Sequence, residues 1–333
     1  MDTARFIEDL QLVPDYLDSL APLLEEGYPG LAQLPKAPRI LVLAMGSSAY
    51  AAATVARKAR ADGINVQVEL ASTVLLPPPA PDLLVVALSA TGSSVEVLAA
   101  AERYRGTGFL VAVTNNPDSP LASLADFTVP LKVGREVSGI SCRNFRHSLL
   151  VMAALLEHCG ALYGSLPAAA SRAAAGTREL LGTSGNWLPQ VSDALQGPDG
   201  TFLLAPSERL SSSSQGALML REVPRRPAFG SETGDWSHVD VYLSKTLDYR
   251  ALVFAGSAWD QQALDWMVPR SATIVSVGAV FPEAAHSITY PGQGEWLVSA
   301  LVETMVPELL AWDWYTKDPG YSWSAWAASS LPG

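Results

Sequence analysis

The sequence predicts an α/β protein built on doubly wound parallel sheets, and three features carry that expectation. Short apolar runs with β-branched members alternate with helix-forming stretches from residue 36 onward. Several of those runs end in Gly, Ser or Thr just before a helical pattern begins. The alternation then breaks at an Ala-rich stretch near residue 166 and restarts. Strands alternating with helices imply a parallel sheet covered on both faces.

The first 35 residues read as one or two amphipathic helices ending at Pro35. "RILVLAMGSS" (39–48) is an apolar strand bounded by Gly46. "AYAAATVARKARADG" (49–63) is a helix with Gly where a C-cap belongs. "INVQVELAS" (64–72) and "PDLLVVALSATGSS" (81–94) are the next strands, the latter ending in small polar residues. "VEVLAAAERYRGTG" (95–108) is a helix, "FLVAVTNN" (109–116) a fourth strand and "DFTVPLKV" (126–133) a short fifth. "NFRHSLLVMAALLEHCGAL" (144–162) is a long apolar helix. The Ala-rich stretch from 166 reads as a helical connection. Beyond it come "GTFLLAPSERLSS", a helix around "QGALMLREV", then "ALVFAGSAWDQQALDWMV" and "ATIVSVGA": strand, helix, strand, helix, strand. All nine tryptophans lie at or after Trp187, so the second half is built differently from the first.

Size and composition narrow the function classes. A chain of 333 residues suggests about two domains, and 49% apolar residues suffice for a sizeable core. Charged residues are sparse at 17% and the net charge is −11, so no basic stripe exists for nucleic acid or anionic lipid. An anionic substrate must therefore be held by local donors against the overall field. Two cysteines, Cys142 and Cys159, do not suggest a disulfide framework. The N-terminus lacks a signal-peptide pattern, and no apolar stretch approaches the roughly 20 residues of a membrane span. A cytoplasmic location is expected, with no nucleic-acid or membrane partner. No cluster has metal-ligand spacing, so neither metal nor cofactor is expected.

Two loops are candidates for anion binding. Gly46-Ser47-Ser48 and Ser89-Ala90-Thr91-Gly92-Ser93-Ser94 each follow an apolar strand and open a helix. Ligands of parallel α/β sheets bind beyond the carboxyl ends of the strands, where helix N-termini offer free N–H groups. Hydroxyls add donors without bulk, and Gly admits close backbone approach. Neither loop is a P-loop or a G-x-G-x-x-G fingerprint. The simpler reading is that these Ser and Thr residues cap helices. Two such loops on neighbouring strands favour a phosphate cup of Ser47, Ser48, Ser89, Thr91 and Ser94. The corresponding "APSERL" and "AGSAWD" of the second half are poorer in hydroxyls and are not expected to form a second cup.

These loops resemble those of the sugar isomerase (SIS) domain family, which binds phosphosugars. Over about residues 36–315 the chain is similar to a tandem pair of such domains, in the pattern of the isomerase half of the glucosamine-6-phosphate synthases. "LSATGSSVEVL" resembles the family's phosphate loop, Thr91 standing for its second Ser. In "GREVSGISCRNF" (134–145), Ser141 matches a ligand-contacting serine, and Gly46 is a further substrate contact. "QGALMLREV" resembles the catalytic helix, placing Glu222 on the catalytic glutamate. His238 falls on the ring-opening histidine, which in that family reaches the neighbouring subunit's site, so a homodimer with shared active sites is implied. The implied organisation is N-terminal helices (1–35), a first SIS domain with the cup (36–165), a helical linker (166–195), a second SIS domain with the catalytic helix (196–310) and a C-terminal tail (311–333). Both domains are expected to be flavodoxin-like.

The departures bear on the reaction. Met219 stands where the synthases have a lysine, Gln215 where they have a glutamate, and no lysine follows Lys317. A Schiff base with a ketose is thus not supported. The chain begins Met-Asp rather than with a nucleophilic Cys, so glutamine-dependent amination is not expected. Trp323 and Trp326 are candidates to close the pocket or merely to pack the tail. His147, His158 and His286 are expected to be structural.

A hexose 6-phosphate must be ring-opened before chemistry at C1–C2, and a histidine suits that proton transfer. A glutamate in a partly desolvated pocket can then remove the C2 proton. Remote phosphate binding supplies orientation. The expected activity is action on a hexosamine 6-phosphate, N-acetylated or free. It would end in loss of the C3 hydroxyl, in aldose–ketose isomerisation or in deamination. The alternative is a non-catalytic phosphosugar sensor.

Overall fold

The computed structural model describes residues 2–318. Trp323 and Trp326 lie outside the described residues. Ten strands occur among them: β1 (Arg39–Ala44), β2 (Val66–Leu70), β3 (Leu83–Leu88), β4 (Phe109–Thr114), β5 (Phe127–Pro130), β6 (Thr201–Ala205), β7 (Ala228–Glu232), β8 (Arg250–Phe254), β9 (Thr273–Val277) and β10 (His286–Ile288). The α-helices are α1 (Phe6–Gln11), α2 (Val13–Glu25), α3 (Gly46–Ala61), α4 (Val95–Glu102), α5 (Pro120–Leu124), α6 (Arg143–His158), α7 (Leu166–Leu195), α8 (Leu210–Glu222), α9 (Thr233–Trp236), α10 (Asp260–Met267), α11 (Trp296–Val302) and α12 (Met305–Lys317). The chain divides into two compact units. One holds Asp15–Glu136 and Ser141–Ser171; the other holds Met1–Pro14, Val137–Ile140 and everything from Arg172.

The first unit is a five-stranded sheet in the order β2-β1-β3-β4-β5, every pairing parallel. Its central strand, β3, is buried along its whole length. Alternation sends Leu41, Leu43, Val85, Ala87, Leu110 and Ala112 to one face, under Val97, Ala100 and Ala101 of α4. The residues between them face the other way, on the side closed by α3 and α6, which pack together. Gly108 enters β4 at φ +77°, and a Cβ there would lie 2.5 Å from the Leu83 carbonyl oxygen, so only glycine lets β4 approach β3 at that point.

The second unit is again five-stranded and parallel, in the order β10-β9-β8-β6-β7. Numbered within its own unit this is 2-1-3-4-5, the order of the first sheet and of flavodoxin-like folds. One face is filled by Phe202, Leu204, Ala251 and Val253 against Trp236, Ala263, Leu264 and Met267. The Trp236 indole N–H donates to the Tyr249 hydroxyl at 2.6 Å. The other face carries α8, pressed between β6 and α12: a Cβ at Gly216 would meet Leu203 at 2.7 Å and Pro307 at 2.9 Å. Helix α1 packs on α12, and its buried Asp9 accepts from the Val137 and Ser138 amides at 3.0 and 2.8 Å.

Two strands of the second unit differ from the sequence expectation. The stretch after Glu222, where no strand is expected, contains β7 and α9. β7 reads "AFGSE" with only Ala228 buried, so it shows no apolar alternation. Its Gly230 marks a close approach, since a Cβ there would lie 2.7 Å from the Ser213 carbonyl oxygen of α8. β10 is likewise a short edge strand.

His147 on α6 is fully buried; its Nδ1–H donates to the Leu131 carbonyl at 2.8 Å, and among the described residues its Nε2 has no partner. Burial pushes its pKa down from 6.5 to about 4, and the Arg143 and Arg146 charges act in the same direction. Between those values the unfolded chain binds a proton that the folded chain refuses. Stability therefore falls as the pH drops through that window, by about 3 kcal/mol from this site. Urea unfolding at about pH 7 and about pH 4 should show a smaller acid loss for His147→Gln than for the parent. Equal losses would mean that the imidazole is not held neutral.

Candidate functional site

The strand order places a topological switch point in the first unit. The chain leaves β1 toward β2 on one side and returns to β3 on the other, and β1 and β3 are neighbours. Loops beyond these two strands lie at the carboxyl edge of the sheet, where parallel α/β folds bind ligands. They are Met45–Ser48, running into α3, and Ser89–Ser94, running into α4.

The capping explanation for their hydroxyls is not what the structure shows. The N-cap of α3 is Met45, with no side-chain cap bond, and α3 opens directly on Gly46 at φ +51°. Ser47 and Ser48 lie in its first turn, half-buried. Ser94 occupies the N-cap of α4, yet its hydroxyl does not cap; it donates to the Glu96 carboxylate at 3.0 Å. By contrast, Ser119 does cap α5, accepting from the Ala122 amide at 3.2 Å. Two helix N-termini at the switch point thus carry no side-chain cap, each with its first-turn N–H groups and positive dipole end.

Between them the loop is tightly built. The Gly92 amide donates to the Ser89 carbonyl at 3.0 Å, closing a turn. Gly92 has φ +66°, and a Cβ would fall 2.1 Å from the Ser119 hydroxyl oxygen. The turn holds Thr91 and Ser93 outward, their hydroxyls 2.8 Å apart, while Ser89 is buried at its base. Glu96 adds a carboxylate beside this cluster, and an incoming phosphate would have to take Ser94 from it.

Ser141 precedes α6, on the segment that follows the edge strand β5, and α6 packs against α3. The N-terminus of α6 already has an anion. Half-buried Glu136 accepts from the Cys142, Arg143 and Asn144 amides at 2.9, 2.6 and 3.2 Å. Sequence reading missed Glu136, whose acidic side chain just before an apolar helix was the available signal.

Glu222 and His238 both belong to the second unit, at opposite ends of its sheet. α8 leaves the carboxyl end of β6 and ends with half-buried Glu222 at the amino end of the strands. β7 then runs back parallel to β6, and exposed His238 follows α9 beyond the carboxyl end. The five residues of β7 alone span about 16 Å. One unit therefore cannot present both side chains to one sugar. Met219 and Gln215 are fully buried in α8. His158 bonds the Leu34 carbonyl oxygen at 3.0 Å, and His286 lies in β10. Among the described residues no group of His, Cys, Asp or Glu is placed to hold a metal, and no helix is long and apolar enough to cross a membrane.

Gly92→Ala should break the turn's geometry, because its Cβ would collide with buried Ser119. The expected result is a loss of phosphosugar affinity of about tenfold or more, with about 1–3 kcal/mol of destabilisation. Calorimetric titration with urea unfolding as control checks it; undiminished affinity would remove this turn from the site.

Comparison with known proteins gives a consistent result. The SIS domain family model matches residues 33–158, which is the first sheet with α3 to α6; it does not extend to the second sheet. The isomerizing glutamine–fructose-6-phosphate aminotransferase of Zymomonas mobilis is 27% identical over 229 residues, 62% of this chain and 36% of that protein. The chain thus spans little more than a third of the length of that relative. Among solved structures, the C-terminal domain of glucosamine-fructose-6-phosphate aminotransferase from Francisella tularensis superposes with a TM-score of 0.75 at 17% identity, covering 92% of this chain and 94% of that one. The glucosamine-6-phosphate deaminase of Thermotoga maritima gives 0.66 at 19% identity, covering 93% and 94%. Residues 33–158 therefore match the SIS domain model, and the chain is similar in sequence to the isomerizing aminotransferases.

Proposed function

We propose that this protein is a phosphosugar enzyme acting on a hexosamine 6-phosphate by ring opening and C2 proton abstraction. The observation that carries the reading is the pair of uncapped helix N-termini at the switch point of an SIS domain, lined by Ser47, Ser48, Ser89, Thr91 and Ser94. First-turn amides and hydroxyls suit a phosphate dianion, and Gly46 removes the side chain that would cover them. The names of its relatives and structural neighbours, which concern hexose and hexosamine 6-phosphates, point to the same substrate class.

In this reading Glu222 is the base at C2 and His238 moves the proton between O1 and O5, with Ser141 a further substrate contact. Because the two side chains lie at opposite ends of one sheet, they serve different substrate molecules, which calls for two copies of the chain. His238 stands on an exposed segment with Val239 and Tyr242, 58% and 62% exposed, an apolar surface of the kind that pairs with another subunit. Met219 offers no amine, so a covalent imine is not part of the mechanism. The C2 carbanion then has three outlets: reprotonation at C1 to a ketose, reprotonation at C1 of a free 2-amino sugar to a ketimine that water hydrolyses to ketose and ammonia, or expulsion of the C3 hydroxyl as water after protonation. The last is the natural one for an N-acetylated sugar. In the tandem arrangement proposed here, the second sheet is a diverged SIS domain.

Incubation with N-acetylglucosamine 6-phosphate and glucosamine 6-phosphate in deuterated water should give solvent exchange at C2 and a change in product mass. Neither change with either sugar would refute the enzyme. Glu222→Gln should lower turnover by about 10²–10⁴-fold with phosphosugar affinity nearly intact. Equal loss of both would make Glu222 structural. Mixing Glu222→Gln with His238→Ala subunits should restore part of the activity, and no recovery after verified subunit exchange would argue against shared sites.

A further inference from the structure

The second sheet repeats the strand order of the first, so it has a switch point of its own, between β6 and β8. A cavity of about 370 Å³ lies there, lined by Glu208, Arg209, Glu232, Gly256, Trp259 and Trp296 among others. That volume is within the range of small-molecule sites. It is chemically unlike the hydroxyl cup.

Arg209 forms the floor and is only 7% exposed. Its Nε donates to buried Glu303 at 2.9 Å and its Nη2 to the Ala255 carbonyl at 2.6 Å. Ser212 also donates to Glu303, which fixes the pair from the far side. Among the described residues Nη1 of Arg209 has no hydrogen-bond partner. Gly256, at φ +117°, leaves both Nη atoms uncovered: they lie 3.5 Å from where a Cβ would stand. The guanidinium charge is thus balanced within the protein, and one N–H pair is left for a ligand oxygen.

The walls are acidic and aromatic. Glu208 and Glu232 have no ion-pair partner among the described residues, although Glu232 accepts the Asp235 amide at 2.7 Å. Trp259 is 55% exposed, and its ring lies 2.8 Å from the Cβ position of Gly234, alongside Glu232. Trp296 is held by its indole N–H, which donates to the Glu208 carbonyl at 3.1 Å. Two unneutralised carboxylates repel a phosphate and attract an ammonium group, and an indole face adds to that attraction.

We infer that this cavity is a second ligand site, for a polyhydroxylated amine that carries no phosphate. The ammonium group sits between Glu208, Glu232 and the Trp259 face, and a hydroxyl oxygen accepts from Arg209 Nη1. The site is independent of the proposed reaction and of the cup in the other unit.

Calorimetric titration of the intact protein with glucosamine tests it, with glucose as the uncharged isostere. Glucosamine should bind and glucose should bind more weakly. Trp259→Leu and Glu208→Gln should each weaken glucosamine by roughly two- to thirtyfold, the range of a cation–π or charge contact. Ser89→Ala, in the cup, should leave it unchanged. No glucosamine binding, equal binding of glucose, or loss on Ser89→Ala in place of Trp259→Leu would each overturn the inference. None of these outcomes depends on whether the protein turns over a phosphosugar.

Discussion

Parallel strands need crossovers, and the crossovers decide where unsatisfied backbone donors collect. Every pairing in both sheets is parallel, so the helix after each strand begins at the same edge. Its first N–H groups have no partner inside the helix. The protein must fill each such position or leave it for a ligand. At α5 a serine fills it, at α6 the carboxylate of Glu136 does, at α4 Glu96 takes one first-turn amide, and at α3 no side chain does. The candidate site is what remains open under that constraint, and the strand order sets the open ends side by side.

The charge balance supports a local account of binding. At −11 the protein as a whole repels a phosphate. Exposed charges act weakly beyond a Debye length of about 8 Å, whereas a helix terminus acts at contact, typically with about 0.3–1 kcal/mol each and more when partly buried. Two termini with hydroxyl donors can therefore outweigh a distributed negative field. The same comparison explains why the switch point of the second sheet suits a different ligand. There the loops bring Glu208 and Glu232 into the cavity, and the cation they share it with is already paired with Glu303.

Much of this was legible from residue order, for identifiable reasons. Buried parallel strands such as β1, β3 and β4 are continuous apolar runs, and α6 carries a strong pattern, so the layers of the first unit follow from periodicity, whereas Glu222 on α8 is singled out only by resemblance. The edge strands β7 and β10 were hidden because burial does not shape them. Gly230 looks like a turn residue and is instead the place where α8 touches β7. The hydroxyls of the cup could be named but not their employment; only geometry shows that Ser94 turns to Glu96 rather than to its own helix. Arg209, Trp259 and Trp296 come from separate segments of the second unit, and no local motif announces their meeting.

The central claim is that the β1–β3 switch point holds a phosphate group. A crystal structure with glucosamine 6-phosphate tests it most directly. The account predicts phosphate oxygens within hydrogen-bond distance of the first-turn amides of α3 and of the Ser89 or Thr91 hydroxyl, with Ser94 released from Glu96. A phosphate seated at the second sheet's switch point, or on α6 in place of Glu136, with the first sheet's switch point empty, would contradict it.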